Sequence, residues 1–559
     1  MSDLVAIKQI QGEGYFSPYS ETTVTTRGVV TGVHRLGFFI QTPDVEWDGK
    51  SSDALFVYSN ETTSSEGAYV EVSGEVIDYL KHDSDKPVTQ IHLEELKIIQ
   101  LHGPEISTID LDANLIPKKN ADLAVLLNSL ECMLMRIPAN QTFIAPSNAH
   151  GDYVLDGIDS SNPEETDYSL LRNEQGGIIA DHENHLRWFP GFRVTQYHRA
   201  PRLNVGSVLL NDVIGPLHYR VGAYQLSVRQ DIKFEPSFIS LNKSSLTPSD
   251  EALTIMTLNC FNLDPHVESP DRVLNPRQDV DDDWGEGRFH TLAQAIVLQA
   301  NLPDIVALQE IQDNDGAEIT DVVDASQTYA LLIQTVEQLS GVTYQWTDVN
   351  PELGADGGQP GGNIRNGFLY NPNRVSLLEP SKVFGAKEAC YEGSRKPLLA
   401  FFEETKSGRK LACINLHLAS KRHQASIFEP KKPGFDSRLE VRVAQAKRVY
   451  AETLRLKEEG IDYYVTGDFN DTEDSQTLHT LVGNENVNLV DKLPIRERYD
   501  YNHRGKLQVL MHGLVNHEMA DTAEYEIIHG NELIGIKAGE VTDKPSDHAY
   551  VIAKLYFNK

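Results

Sequence analysis

Tyr463-Tyr464-Val465-Thr466-Gly467-Asp468-Phe469-Asn470 is a short apolar run that ends on a carboxylate and an amide. Aromatic and β-branched residues bounded by glycine predict a strand with Asp468 and Asn470 at its end. The arrangement recurs outward in both directions. Asn259 follows the apolar run Thr254–Leu258, and Glu310 follows Asp304–Leu308 with Gln309 between. His417 follows Leu411–Leu416, and Asp547-His548 precede the run Tyr550–Ala553. One polar residue at a strand end is ordinarily the start of a loop. Five such places in one segment predict strands that deliver their ends to a common rim.

Between these strands the periodicity is helical. Phe289, Leu292, Ala293, Ile296 and Val297 repeat at helical spacing, as do Leu439, Val443, Ala446 and Tyr450. Strands alternating with amphipathic helices make residues 250–559 an α/β unit.

The residue types at the rim fit one chemistry. Asn259, Glu310 and Asp547 offer hard oxygen donors, which suit Mg²⁺ (or Mn²⁺ or Ca²⁺) better than zinc. A carboxylate such as Asp468 can position or deprotonate a water. His417 and His548 can donate hydrogen bonds to phosphoryl oxygens. Either histidine alone is read as structural. Their placement beside the carboxylates favours the catalytic reading.

Leu258-Asn259 with Phe261-Asn262, Leu308-Gln309-Glu310-Ile311, Asn415-Leu416-His417-Leu418, Gly467-Asp468-Phe469-Asn470 and Ser546-Asp547-His548 occur in that order. The set resembles the endonuclease/exonuclease/phosphatase superfamily, which includes DNase I-like nucleases. The resemblance spans about 251–557 and implies a four-layered α/β sandwich. It implies that Asn259 and Glu310 hold the principal metal with Asp547 nearby. Asp468 would activate water, Asn470 and His417 would contact the phosphate, and His548 would stabilise its charge.

The first half of the chain reads differently. Val24–Val33, Gly37–Gln41, Ala54–Tyr58 and Tyr69–Val76 are short, glycine-punctuated β runs, predicting a small OB-like barrel in 1–104. Residues 105–240 read as a second β-rich unit, with a helix near Ala121–Leu130 and strands near Tyr153–Leu155, Val208–Ile214 and Gly222–Val228. Ile10-Gln11-Gly12-Glu13-Gly14, Arg27-Gly28-Val29-Val30-Thr31, Gly37–Gln41 and Tyr219–Tyr224 resemble secreted bacterial nucleases of the ExeM/NucH type. That resemblance implies extracellular DNA degradation. The opening Met1-Ser2-Asp3-Leu4 has neither a basic stretch nor an apolar core, so no signal peptide is expected in this chain. A complete chain would therefore be cytoplasmic.

Net charge is −32 over 559 residues, and long-range steering of a polyanion would be repulsive. A nuclease needs a local basic surface. Between His417 and Arg448 eight Lys or Arg face three acidic residues. Lys421, Arg422 and Arg442 from this run, with Arg395 before it, are the candidate substrate-binding cations. The alternative for this run is a solvated helix face. Asp279–Asp283 reads as a solvated acidic loop. Cys132, Cys260, Cys390 and Cys413 lie far apart without a Cys-x-x-Cys pair, which argues against zinc. No apolar run approaches the roughly 20 residues a membrane span needs, and no protein partner is indicated.

One position departs from the resemblance. After Tyr501–Gly505, relatives carry a strand with an aspartate that orients the last histidine, and here Met511 stands in its place. Asp521 and His512 are the candidates to compensate.

A metal-dependent phosphodiesterase acting on nucleic acid, DNA or also RNA, is the leading expectation. A phosphoesterase on a small or lipid phosphate and a catalytically impaired nucleic-acid-binding protein are the alternatives.

Overall fold

Alternating apolar residues near the N-terminus close a five-stranded barrel. Its strands are Thr23–His34, Gly37–Gln41, Ala54–Tyr58, Tyr69–Tyr79 and Val88–Gln100, joined in the order first, second, third, fifth, fourth. Phe38, Ile40, Leu55, Val57, Val72 and Ile91 fill its interior. The last strand goes beyond the sequence expectation, because its second half, Glu94 to Gln100, is largely exposed and mixes charged with apolar residues. At Gly74 the barrel wall draws so close that a Cβ would fall 2.0 Å from the His92 carbonyl oxygen. This computed structural model describes residues 4–557, apart from 62–63, 82–84, 113, 118–119, 157–170, 180–190, 197–199, 422–427, 429–435 and 538–543.

A seven-stranded sheet follows, in the order Ile109–Asp110, Leu134–Ile137, Val213–Arg220, Ala223–Ser227, Gly191–Thr195, Asp152–Asp156, Phe143–Ala145. One face packs Phe192, Val194, Leu217, Tyr219, Tyr224 and Leu226 against the helix Asn120–Ser129 and neighbouring apolar groups. The barrel is pinned to this sheet by a buried ion pair, Lys86 Nζ to Glu131 Oε2 at 2.7 Å.

The C-terminal half is a four-layered α/β sandwich. One sheet runs Gln345–Asp348, Arg365–Tyr370, Ile305–Ile311, Ala252–Leu263, Tyr550–Tyr556, Glu524–Ile528. The other runs Val375–Leu377, Leu398–Glu404, Lys410–His417, Asp462–Asp468, Met511–Asn516, Asn486–Asn488, with Lys382–Val383 also paired to Leu398–Glu404. Ile255, Ala307, Phe368, Cys413, Tyr464 and Val551 are among the groups packed between the sheets. The helices Arg288–Gln294 and Ser326–Ser340 cover one outer face, and Leu439–Glu458 and Gln476–Val482 cover the other. The four cysteines are free, and three of them are buried. No described helix is long and apolar enough to cross a membrane.

The middle sheet and the sandwich are stitched together close to the rim. Ile178–Ile179 adds in parallel to Lys506–Gln508, the outer strand of the hairpin begun by Tyr501–His503. Asn173 Nδ2 donates to Tyr499 Oη at 3.0 Å, and Asn502 Nδ2 donates to the Ile144 carbonyl at 3.0 Å. Phe428 reaches from the sandwich into the middle core, its ring 5.1 Å from that of Tyr224.

Candidate active site

The parallel strands Ala252–Leu263 and Ile305–Ile311 bring Asn259 opposite Gln309, one residue from Glu310. In the facing sheet, Lys410–His417 and Asp462–Asp468 pair in parallel and set His417 directly beside Asp468. The two sheets therefore present their strand ends to one pocket, as the sequence pattern expects. His417 Nε2 lies 3.6 Å from Asp468 Oδ2 and 3.8 Å from Glu310 Oε1. His548 Nε2 lies 3.9 Å from Asp468 Oδ2 and 4.0 Å from Asp547 Oδ1.

Two of these residues occupy backbone conformations that side chains disfavour. Glu310 has φ +57° and Asn470 has φ +52°. Left-handed backbone at a non-glycine residue costs about 1–3 kcal/mol and persists only where the surroundings enforce it. At Asn470 the reason is visible. Asp468 Oδ1 accepts from the Asn470 amide at 2.8 Å, and Asn470 Nδ2 donates to the Leu418 carbonyl at 3.1 Å. The turn thereby locks both side chains toward the pocket.

The electrostatics are those of carboxylates gathered away from water. Burial and the neighbouring Asp547 push Glu310 up to about 7, against a hydrogen bond from Asn259. Burial pushes Asp468 up to about 6, opposed by His548 and by Arg395. His548 behaves oppositely. Burial works against its charged form, but Asp547, Asp500 and Asp468 outweigh it and raise the ring to about 10. At neutral pH the His548 imidazolium therefore faces the Asp468 carboxylate.

Asp500 was not among the expected residues. Its Oδ1 lies 2.7 Å from His548 Nδ1, and its Oδ2 accepts from the amides of Leu510 and Met511 at 2.7 and 2.9 Å. The position vacated by aspartate at Met511 is thus filled from the preceding turn. Met511 itself is fully buried in the core between the sheets. Neither proposed compensator takes the role: His512 is buried, with its ring nitrogens on Asn488 Nδ2 and the Asp471 carbonyl, and Asp521 is exposed beyond the far end of this strand. Tyr501 was also missed, and it stacks on the His548 ring at 4.8 Å. Neither residue ends an apolar run, which is the signal that found the others.

The candidate substrate cations separate. Arg395 is buried, donates to the Leu418 carbonyl at 3.0 Å, and its charge bears on Glu310 and Asp468. Lys421 lies 2.8 Å from Asp471 Oδ1. Arg442 does not face substrate: it is fully buried, with its guanidinium on Asp436 and on Asp471 Oδ2. A basic run on a helix that covers a sheet must turn some of its residues inward, and Arg442 is one. Arg422 lies outside the described residues. The acidic loop 279–283 is also less solvated than expected, since Asp279 and Asp283 are buried and Arg288 pairs with Asp283.

A family model described as endonuclease/exonuclease/phosphatase matches residues 256–548, which contain every candidate site residue. A second model, described as a domain of unknown function, matches 84–237. Among solved structures the chain is similar to a humanized D. rerio TDP2 carrying 14 mutations, at 17% identity over 55% of this chain and 99% of that one, with TM-score 0.36. It is similar to an endonuclease/exonuclease/phosphatase from Bacteroides vulgatus, at 16% identity over 55% and 99%, TM-score 0.34. It is also similar to the human Nocturnin catalytic domain with bound sulfate, at 14% identity over 55% and 95%, TM-score 0.34. No curated protein matches.

Proposed function

The chain belongs to the endonuclease/exonuclease/phosphatase family, and from that premise we propose that it is a nuclease hydrolysing the phosphodiester bonds of DNA with little sequence preference. The family consists of metal-dependent hydrolases of phosphate esters, and that chemistry is this chain's. The observation that carries the nuclease reading is the pairing of a held imidazolium, His548 on Asp500, with Asp468 3.9 Å from its other nitrogen. One group is placed to take a proton and its neighbour to give hydrogen bonds to a phosphate.

Asp468 accepts the proton of the attacking water, a contribution on the order of 10²–10⁴ in rate. Asn470 fixes that carboxylate through its amide. His548 presents Nε2–H to the phosphoryl oxygens, where negative charge grows, and Asp500 holds its tautomer through Nδ1. His417, whose Nε2 lies 3.6 Å from Asp468 Oδ2, donates to a second phosphate oxygen.

The donor set fits a divalent cation. Asn259, Glu310 and Asp547 offer oxygen atoms, and Glu310 is pushed up by burial and by its carboxylate neighbours, a crowding that a cation would relieve. These three would hold Mg²⁺, with Mn²⁺ or Ca²⁺ as alternatives. When bound, the ion polarises a phosphoryl oxygen as a Lewis acid. The resemblance of the N-terminal motifs to secreted nucleases supports an extracellular type of DNase.

The test is digestion of plasmid DNA, single-stranded DNA, RNA, an inositol phosphate and sphingomyelin with Mg²⁺, Mn²⁺, Ca²⁺ or EDTA. Metal-dependent cleavage of the nucleic acids is expected. Preferential turnover of the inositol phosphate or sphingomyelin would overturn the nuclease reading, and full DNA cleavage in excess EDTA would overturn the mechanism.

A further inference from the structure

A line of rings and cations leaves the catalytic pocket and crosses all three parts of the molecule. It begins at His548, on which Tyr501 stacks at 4.8 Å. Two residues along the same hairpin strand, His503 stacks on Tyr501 at 6.3 Å. Arg504 forms the exposed turn of this hairpin. Asn502, by donating to the Ile144 carbonyl, lays the turn over the middle sheet at its Phe143–Ala145 edge.

The line continues on the face of that sheet opposite its core. Val194 pairs with Leu226, and Leu226 with Leu217, and all three point into the core. Alternation therefore turns Arg193, Gln225, His218 and Arg220 to the other face, where Gln225 and His218 are buried, Arg193 is paired with Asp152 Oδ2 at 2.6 Å, and Arg220 is exposed. His218 in turn meets the barrel, with its ring 6.2 Å from that of His34. Burial and the surrounding charges of His34, Arg220 and Arg193 hold His218 down to about 3. Burial, Arg220, Arg35 and Arg229 hold His34 down to about 4. Arg220, Arg35 and Arg229 thus lie about the His34–His218 contact, with Arg193 held by Asp152, in a chain whose net charge is −32.

The barrel then offers flat rings. Phe38, Ile40, Leu55, Val57 and Ile91 point inward. Phe56, Tyr58 and His92 therefore point outward, and each is half-buried, Phe56 against the core of the middle sheet. The His34 ring is 5.9 Å from Phe56, and Tyr58 lies 4.8 Å from His92 at an interplanar angle of 31°.

We propose that this line is the track of a single-stranded nucleic-acid segment, whose phosphates meet Arg504 and Arg220 and whose bases stack on Tyr58 and His92 of the barrel. The inference rests on the reading of the substrate as nucleic acid. Charge decides the occupant's sign, since only a polyanion is drawn to clustered arginines on so acidic a molecule. The rings decide its class, because every base has a face to stack and a plain polyanion has none. The continuity of the track with the His548 side of the pocket makes it a path for the strand being cut.

The test uses the full chain carrying Asp468→Asn, which binds without cutting, and fluorescein-labelled oligothymidylates of 6 and 30 nucleotides. The longer strand is expected to bind more tightly. Tyr58→Ala should weaken 30-mer binding roughly five- to 150-fold, on the scale of about 1–3 kcal/mol per stacked base. Arg220→Glu should weaken it too and lower its salt dependence. In the otherwise native enzyme both variants should hydrolyse a dinucleotide at the parent rate and melt at the parent temperature. Equal binding of 30-mer by parent and both variants would overturn the track. So would equal binding of an abasic strand of the same length. If DNA is cut but none of these variants matters, the track falls and the nuclease reading stands. If no nucleic acid is cut but Tyr58-dependent binding persists, the reverse holds.

Discussion

Asp500 and His548 form a carboxylate–imidazole pair at 2.7 Å, and the carboxylate arrives from a turn instead of from the strand facing Asp468. The second oxygen of Asp500 is held by two backbone amides, so the carboxylate is fixed before it fixes the histidine. Closure of the loop onto the final strand secures it further, since the Ala549 amide donates to the Asp500 carbonyl at 2.7 Å.

Asp500→Asn should lower kcat by about 10–100-fold, the usual scale for loss of an orienting partner. It should also reshape the alkaline limb. His548 is raised to about 10 by Asp547, Asp500 and Asp468 against burial, so its charged form is lost only as pH rises through that value. Removing one of the three charges moves the loss to lower pH. The linked stability has the same sign: present in full below the ordinary histidine range near 6.5, it disappears as pH rises through about 10. A pH–rate profile of the variant beside the parent checks this. An unmoved alkaline limb would show that Asp500 does not govern the ring.

Met511→Asp should not restore a missing function. Met511 is fully buried, and its amide already serves Asp500. A second carboxylate there would sit beside the first with no cation to meet it, so it would destabilise the protein by several kcal/mol, the scale of an uncompensated buried charge. Thermal melting should show the loss, and the specific activity of the folded fraction should not rise. A faster enzyme of unchanged stability would contradict the placement of Asp500.

The strand-end residues Asn259, Glu310, His417, Asp468 and His548 were legible because each ends or precedes an apolar run, and parallel strands deliver such ends to one rim. Asp500 and Tyr501 were not. Asp500 precedes and Tyr501 begins a two-strand hairpin whose pairing partner, Ile178–Ile179, lies more than three hundred positions away. Local pattern carries no sign of such a contact. Arg442 was misjudged for a related reason: charge is visible in a sequence, but the side of the helix it occupies depends on Asp471 across the fold. The fifth barrel strand was hidden by its exposed outer half, where charged and apolar residues do not alternate.

Lys86→Ala should cost about 3–5 kcal/mol, because it leaves Glu131 buried without its cation. Lys86 Nζ also donates to the Pro87 carbonyl at 2.8 Å and sits 5.4 Å from the ring centres of Tyr219 and Tyr224. The pair joins barrel to middle sheet, so the loss should appear as early melting of the N-terminal half. Denaturant titration followed by limited proteolysis would locate it. A variant as stable as the parent, with no new cleavage sites, would mean that the two parts are held by their apolar contact alone.

Deletion of residues 1–240 is the sharpest test of how the halves cooperate. From sequence, 250–559 contains every candidate group and its own strand set, which predicts an independent catalytic unit. The structure adds a cost. The Ile536 amide donates to the Ser147 carbonyl at 2.8 Å, and the Val205 amide donates to the Leu533 carbonyl at 3.0 Å. Gly535 donates to Asn204 Oδ1 at 3.0 Å, and Tyr499 accepts from Asn173. These contacts brace the segments on either side of Asp500 and the approach to Asp547. Phe428 would lose the aromatic pocket of Tyr219 and Tyr224. The three main sandwich clusters contain no described residue before 246, so the fragment should fold, with the small cluster of Tyr499, Leu507 and Leu533 on Ile179 and Val205 opened. Its hairpin 501–508 should be loosened, with kcat on a dinucleotide falling by at least tenfold and amide exchange rising across 499–510. The sandwich strands should keep their protection. A fragment with the parent's kcat and a protected hairpin would show that the sandwich alone holds Asp500 in place. An unfolded fragment would show that the inter-domain contacts are part of the core.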